Sequence, residues 1–199
     1  MQPARNFVKA GKLSKPRARY GPTTQALHWA TAILVVLAYT YGPGGSEQRV
    51  YSIAGNFDRQ LHETLGVCVF ALAVMRVLWR LVERQPDHPD VPRWMDIAAK
   101  VAQRALYVLL FALPATAITG AWLEGHPVTL LAGIEVPPLV GLSHDAGAKI
   151  ATIHSWLGDA ILWLAGFHAL AALYHHAILK DGVLASMLPH WFPLRGTKR

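Results

Sequence analysis

The chain has 199 residues, of which 53% are hydrophobic and 16% charged, and it carries a formal net charge of +7. Its mean hydropathy is +0.27, and apolar runs at residues 23–41, 61–82, 105–123 and 150–179 each approach the roughly 17–25 residues of a bilayer span, which excludes an ordinary soluble domain. One cysteine, Cys68, rules out an intramolecular disulfide.

Residues 1–19 form a basic arm with Arg5, Lys9, Lys12, Lys15, Arg17 and Arg19 and no acid. The arm runs straight into the first apolar segment without a small-residue cleavage motif, so it reads as a retained span and not as a signal peptide. After a turn at residues 20–22, Thr23 or Thr24 is placed to cap the first helix. That span holds His28 about one turn from its start, with Trp29, Tyr39 and Tyr41 as interfacial anchors. The second span begins at His62, carries Cys68 as a small core residue, and reaches Arg76 near its far end. Pro86, Pro89 and Pro92 mark a linker at residues 85–95. The third span lacks histidine and contains Gly120 and Pro114, which predicts a kink. Residues 124–149 read as a longer loop with a turn at 134–138, and the fourth span ends near Lys180 with Gly182 as its C-cap.

The positive charge is unevenly placed. The arm, the stretch holding Arg80, Arg84, Arg93, Lys100 and Arg104, and the tail with Lys180, Arg195, Lys198 and Arg199 together contain fifteen basic residues. The two remaining loops contain three, Arg49, Arg59 and Lys149. This is the positive-inside pattern, and it places both termini and the middle loop in the cytoplasm. A basic arm there suits anionic lipid headgroups better than nucleic acid. The predicted architecture is an all-α integral membrane four-helix bundle over residues 20–190, between the arm at 1–19 and a basic cytoplasmic tail at 191–199.

The histidines carry the chemistry. In the stretch IATIHSWLGDAILWLAGFHALAALYHHAILK at residues 150–180, His154 and His168 are fourteen residues apart. That spacing falls within about 40° of four full turns, so both imidazoles share one face, about 21 Å apart along the axis. Ionisable groups so deep in a span are costly and usually functional. Two imidazoles stacked on one apolar face suit axial ligands of two haem irons. No Cys-x-x-Cys-His sequence is present to attach haem covalently, so the haems would be b-type. Depth along the predicted topology then pairs His28 with His168 on the inner side and His62 with His154 on the outer side.

Other residues are assigned around this frame. His62-Glu-Thr-Leu-Gly66 and His154-Ser-Trp-Leu-Gly158 share a His-x-x-Leu-Gly pattern. Each glycine falls on its histidine's face, where a missing side chain leaves room for a porphyrin plane or for close helix packing. Arg76, level with the inner pair, suits a haem propionate or a quinone headgroup, with snorkelling to the interface as the alternative. His175 and His176 lie near the inner interface, and interfacial or propionate contacts are assigned to them. His88, His126, His144 and His190 fall in loops or the tail and read as solvated, while Asp159 borders a polar pocket on the outer side.

Several motifs together resemble the bacterial cytochrome b561 family over roughly residues 18–190. They are Tyr20-x4-Gln25-x2-His28-Trp29, His62-x3-Gly66 with the later Arg76, His154-x13-His168, and His175-His176-x3-Lys180-Asp181-Gly182. The resemblance implies a four-helix membrane cytochrome with two b haems, and carries the family's ligands onto His28, His62, His154 and His168. It also implies electron exchange with ubiquinone, with superoxide as a donor on the outer face, a superoxide:ubiquinone oxidoreductase type of activity. A second function is a membrane-anchor subunit of a larger dehydrogenase or hydrogenase, and a third is a non-redox scaffold. The sequence shows no nucleotide or flavin fingerprint, which favours a small diffusible donor. Arg49, Arg59 and Lys149 would attract such an anion, but Glu47, Asp58, Glu124, Glu135 and Asp145 share their side.

The charge asymmetry predicts that a reporter fused after Arg199 is active only in the cytoplasm; activity only in the periplasm would reverse the assigned orientation.

Overall fold

A bilayer leaves main-chain amides no water to bond, so apolar segments satisfy them internally as helices. The computed structural model describes residues 19–44, 47–83, 91–139, 141, 143–189 and 191–192. The arm at 1–18, most of the proline linker and most of the tail, with His88 and His190, lie outside these residues. The described chain forms α1 (Pro22–Thr40), α2 (Glu47–Val50), α3 (Asn56–Val82), α4 (Arg93–Glu124), β1 (Val128–Thr129), β2 (Glu135–Val136), α5 (His144–Tyr174) and α6 (Val183–Ser186). A π-helical turn, His175–Leu179, prolongs α5. Among the described residues, three helical segments are long and apolar enough to cross a membrane: Asn56–Val82, Arg93–Glu124 and His144–Leu179. The shorter α1 has 19 residues and opens on the polar sequence Pro-Thr-Thr-Gln.

The helices are longer than their apolar runs. α4 begins at Arg93, directly after Pro92, and α5 at His144, well before residue 150. Hydropathy marks the part of a helix suited to lipid, whereas polar end turns still satisfy their amides by helical bonding. Residues 134–138 are not simply a turn, since Glu135 and Val136 pair antiparallel with Thr129 and Val128. Neither Thr23 nor Thr24 caps α1. Gly21 takes that position, and the Thr24 hydroxyl donates instead to the Glu83 carboxylate. Gly182 does not close α5 either. Lys180 adopts the left-handed conformation after the π-turn, and Gly182 precedes α6.

α1 packs along α3, and α4 packs along α5, whereas the contacts joining these two hairpins are sparser. The buried core is thin: Val69 and Ala73 of α3, Leu110 of α4 and Ile161 of α5 meet at mid-height. Ile161 lies midway in sequence between His154 and His168, so this apolar cluster separates the two histidine levels. Cys68 is not in the core. It is exposed, because Val69 and Ala73 occupy the packed face and the preceding residue is turned about 100° away. At one end, α6 is tied to α1 by polar bonds. The buried Gln25 side chain donates to the carbonyls of Tyr20 and Ser186 at 3.0 and 3.2 Å, and Trp29 Nε1 donates to Met187 O at 2.9 Å.

α4 and α5 approach closely at Gly120 and Gly147. A Cβ on Gly147 would lie 2.6 Å from Glu124 Cγ, 2.9 Å from Glu124 N and 3.0 Å from Gly120 O. Lipid tails supply no hydrophobic drive between helices, so such small-residue contacts carry much of the packing. Two of those neighbours are backbone atoms and cannot step aside. Gly147→Ala is therefore expected to cost about 1–3 kcal/mol through overpacking, read as an earlier thermal unfolding midpoint of the solubilised protein. Gly141→Ala, with no atom within 4 Å of its added carbon, is expected to leave the midpoint in place.

Candidate functional site

Two facing pairs of imidazoles bridge the hairpins. His28 on α1 faces His168 on α5, with ring centroids 6.4 Å apart at 67°. His62 on α3 faces His154 on α5, with centroids 6.0 Å apart at 86°. These are the two pairs expected from depth, and α5 supplies one member of each.

The hydrogen bonds orient these rings. His62 Nδ1 lies 2.7 Å from Ala38 O of α1, and His154 Nδ1 lies 3.0 Å from Leu113 O of α4. A backbone carbonyl only accepts, so each Nδ1 carries the proton and each Nε2 keeps its lone pair for a metal. The Leu113 carbonyl is shared between His154 and the Thr116 side chain of α4 itself. Thr116 Oγ1 donates to the carbonyls of Ala112 and Leu113 and lies 3.3 Å from His154 Nδ1. Neither Ala38 nor Leu113 was legible as a partner, since main-chain carbonyls carry no sequence signal.

Arg76 joins the other pair. Its Nη2 is 3.5 Å from His28 Nδ1, and its guanidinium carbon lies 5.4 Å from the Tyr107 ring centre. A cleft opens beside it, lined by Arg76, Arg80, Gln103, Tyr107, Trp79 and Thr24. An added Cβ on Gly66 or Gly158 would meet no atom within 4 Å. Both positions thus border open space, not a close helix contact.

Other histidines are placed differently from expectation. His126 is not simply solvated, being partly buried and 2.7 Å from Glu47, whereas His144 is exposed as expected and also reaches Glu47, at 2.9 Å. Hydrogen bonding from His126 holds the Glu47 carboxyl below the ordinary carboxylate range. His175 pairs with Asp181 at 2.5 Å. Asp159 accepts a 2.9 Å hydrogen bond from the Tyr39 hydroxyl, and Arg59 is engaged by Glu63 at 2.9 Å and by Asn56 at 2.7 Å.

The family profile of prokaryotic cytochrome b561 matches residues 19–190. The chain belongs to that family. Cytochrome b561 homolog 2 of Escherichia coli is 31% identical over 174 residues, spanning 85% of this chain and 91% of the relative. Cytochrome b561 homolog 1 of the same organism is 30% identical over 178 residues, covering 86% and 97% respectively. A probable superoxide oxidase, CybB, of Yersinia pestis is 28% identical over 175 residues, covering 86% and 96%. Membership makes this a haem b protein of bacterial membrane electron transfer.

The histidine spacing can be tested against that cofactor. An imidazole bonds a first-row metal at about 2 Å, and its ring centre lies about 1.2 Å beyond the nitrogen, so two trans imidazoles on one metal have centres about 6.4 Å apart. The observed 6.4 and 6.0 Å fall at or just under that separation. The open flanks of Gly66 and Gly158 leave room beside the rings for a flat macrocycle. The residues fit the group.

Proposed function

We propose that this cytochrome b561 family member is a four-span protein, with α1 as its additional span, holding two b haems and passing electrons across the bacterial inner membrane to ubiquinone. His62 and His154 hold one haem and His28 and His168 the other. The observation that carries this reading is the pair of imidazole separations, 6.0 and 6.4 Å, at two levels of one helix. When bound, each haem supplies a one-electron couple. The chain supplies the rest. Ala38 O and Leu113 O fix the tautomers and orientations of His62 and His154. Gly66 and Gly158 leave the macrocycle its space, and the Val69–Ala73–Leu110–Ile161 cluster keeps water out between the levels. Arg76 provides a cation for a propionate of the inner haem, and the adjoining cleft, with Arg80, Gln103 and Tyr107, offers donors for a quinone headgroup. With both termini cytoplasmic, the His62/His154 pair lies towards the periplasm.

The spectrum of the purified protein is expected to show two low-spin b haems per chain. His62→Ala or His154→Ala should remove one haem, the same one in both cases, and His28→Ala or His168→Ala should remove the other. Loss of the same haem from His154→Ala and His28→Ala would overturn the pairing.

Superoxide is proposed as the periplasmic donor, supported by the similarity to the probable superoxide oxidase. Of the three basic residues assigned to that side, Arg59 is neutralised by Glu63. Long-range steering is accordingly weak, and haem reduction by superoxide should change little with ionic strength. Stopped-flow spectroscopy with generated superoxide, with and without a ubiquinone analogue, tests this. No reduction by superoxide, together with rapid reduction by a quinol, would leave a quinol-linked carrier or anchor subunit as the better account.

A further inference from the structure

At the end of the helices that carries the His62/His154 pair, segments distant in sequence converge on one carboxylate. Glu47 opens α2, Glu124 closes α4, and His126 follows in the turn before β1. One ligand atom from each lies within 4.8 Å of the other two. His126 Nε2 is 2.7 Å from one Glu47 oxygen, and His144 Nε2, at the start of α5, is 2.9 Å from the other.

The placement is built by the backbone. Gly125 takes the left-handed conformation at φ 87, with its N–H on Trp122 O at 3.0 Å and the His126 N–H on Ala121 O at 2.8 Å. This paired closure is a helix-ending turn that a residue with a Cβ adopts only with strain. It reverses the chain so that residues 124 and 126 both reach Glu47. The His126 ring is stacked on Tyr51 at 3.5 Å and 17°, and the Arg59 guanidinium lies over the same tyrosine at 5.1 Å. Gly147 presses against Glu124 from the other side.

Two carboxylates this near each other repel, and the repulsion grows in a half-buried setting. Among the described residues, neither Glu47 nor Glu124 forms an ion pair with a lysine or arginine. A divalent cation relieves such a pair, and an imidazole in the donor set selects zinc-like transition ions over magnesium or calcium. Zinc bonds of about 2.0–2.2 Å place tetrahedral donor atoms about 3.3–3.6 Å apart, within small side-chain adjustments of the arrangement present. The geometry points to a divalent transition-metal site ligated by Glu47, Glu124 and His126, with His144 steadying the second Glu47 oxygen and a fourth position open to water. The metal would tie α2 to the end of α4 and place positive charge beside the His62/His154 level. The site shares no residue with those proposed for haem.

The test uses the untagged, haem-loaded full chain, dialysed to equilibrium against buffered zinc, with bound zinc measured by elemental analysis. One zinc per chain is expected, with a rise in the thermal midpoint. Glu47→Gln and His126→Ala should each weaken binding by about tenfold or more and abolish that rise, with haem content unchanged. His126→Gln serves as the second variant if His126→Ala loses haem. His176→Ala, at the opposite end of α5, should bind zinc as the parent does. Absence of zinc from the parent protein would overturn the site, and so would undiminished zinc in haem-replete Glu47→Gln and His126 variants.

Discussion

An imidazole set in an apolar span must be satisfied at both nitrogens, and this constraint organises the molecule. Where Nδ1 is turned to a main-chain carbonyl, as at His62 and His154, the ring is fixed and its second nitrogen keeps a free lone pair. The carbonyls come from neighbouring helices, α1 for His62 and α4 for His154. Each ring orientation is therefore a property of helix packing and not of one helix alone. A shift of α4 along α5 would move Leu113 O and release His154, which explains the tight glycine contact that locks those two helices.

The two hairpins are unequal partners. α5 carries one histidine of each pair and several large exposed apolar side chains, including Trp156, Trp163 and Phe167. One face of this helix carries the two histidines and the other is suited to lipid. α1 is shorter and more polar at its start, and it is tied at that end by Gln25 and Trp29 to the α6 segment. Polar bonding there anchors a helix whose apolar length is modest.

What could be read from the residues was set by periodicity and depth. His154 and His168 share a face because fourteen residues close almost four turns, and the alternating direction of the helices then brought His28 and His62 to the matching levels. Arg76 followed by the same reasoning. The helix limits were less legible, because hydropathy marks the lipid-suited part of a helix and misses polar end turns such as residues 93–104 of α4 and 144–149 of α5. Cys68 was misplaced because a small apolar residue has no helical phase of its own until Val69 and Ala73 define the packed side. His126 looked solvated since neither its partner Glu47 nor the left-handed Gly125 turn is signalled by local sequence.

The thin core at mid-height has a consequence for how the molecule comes together. α1 with α3, and α4 with α5, are neighbours in sequence as well as in space, so each hairpin can close as it leaves the ribosome. Among the described residues the contacts between the hairpins are sparser than those within them: the narrow apolar cluster, the facing rings, Phe70 on Phe111, Arg76 over Tyr107 and the Tyr39–Asp159 bond. A cofactor held between facing rings would add a bond across this sparser seam, so its loss should loosen the two halves from each other before either hairpin opens.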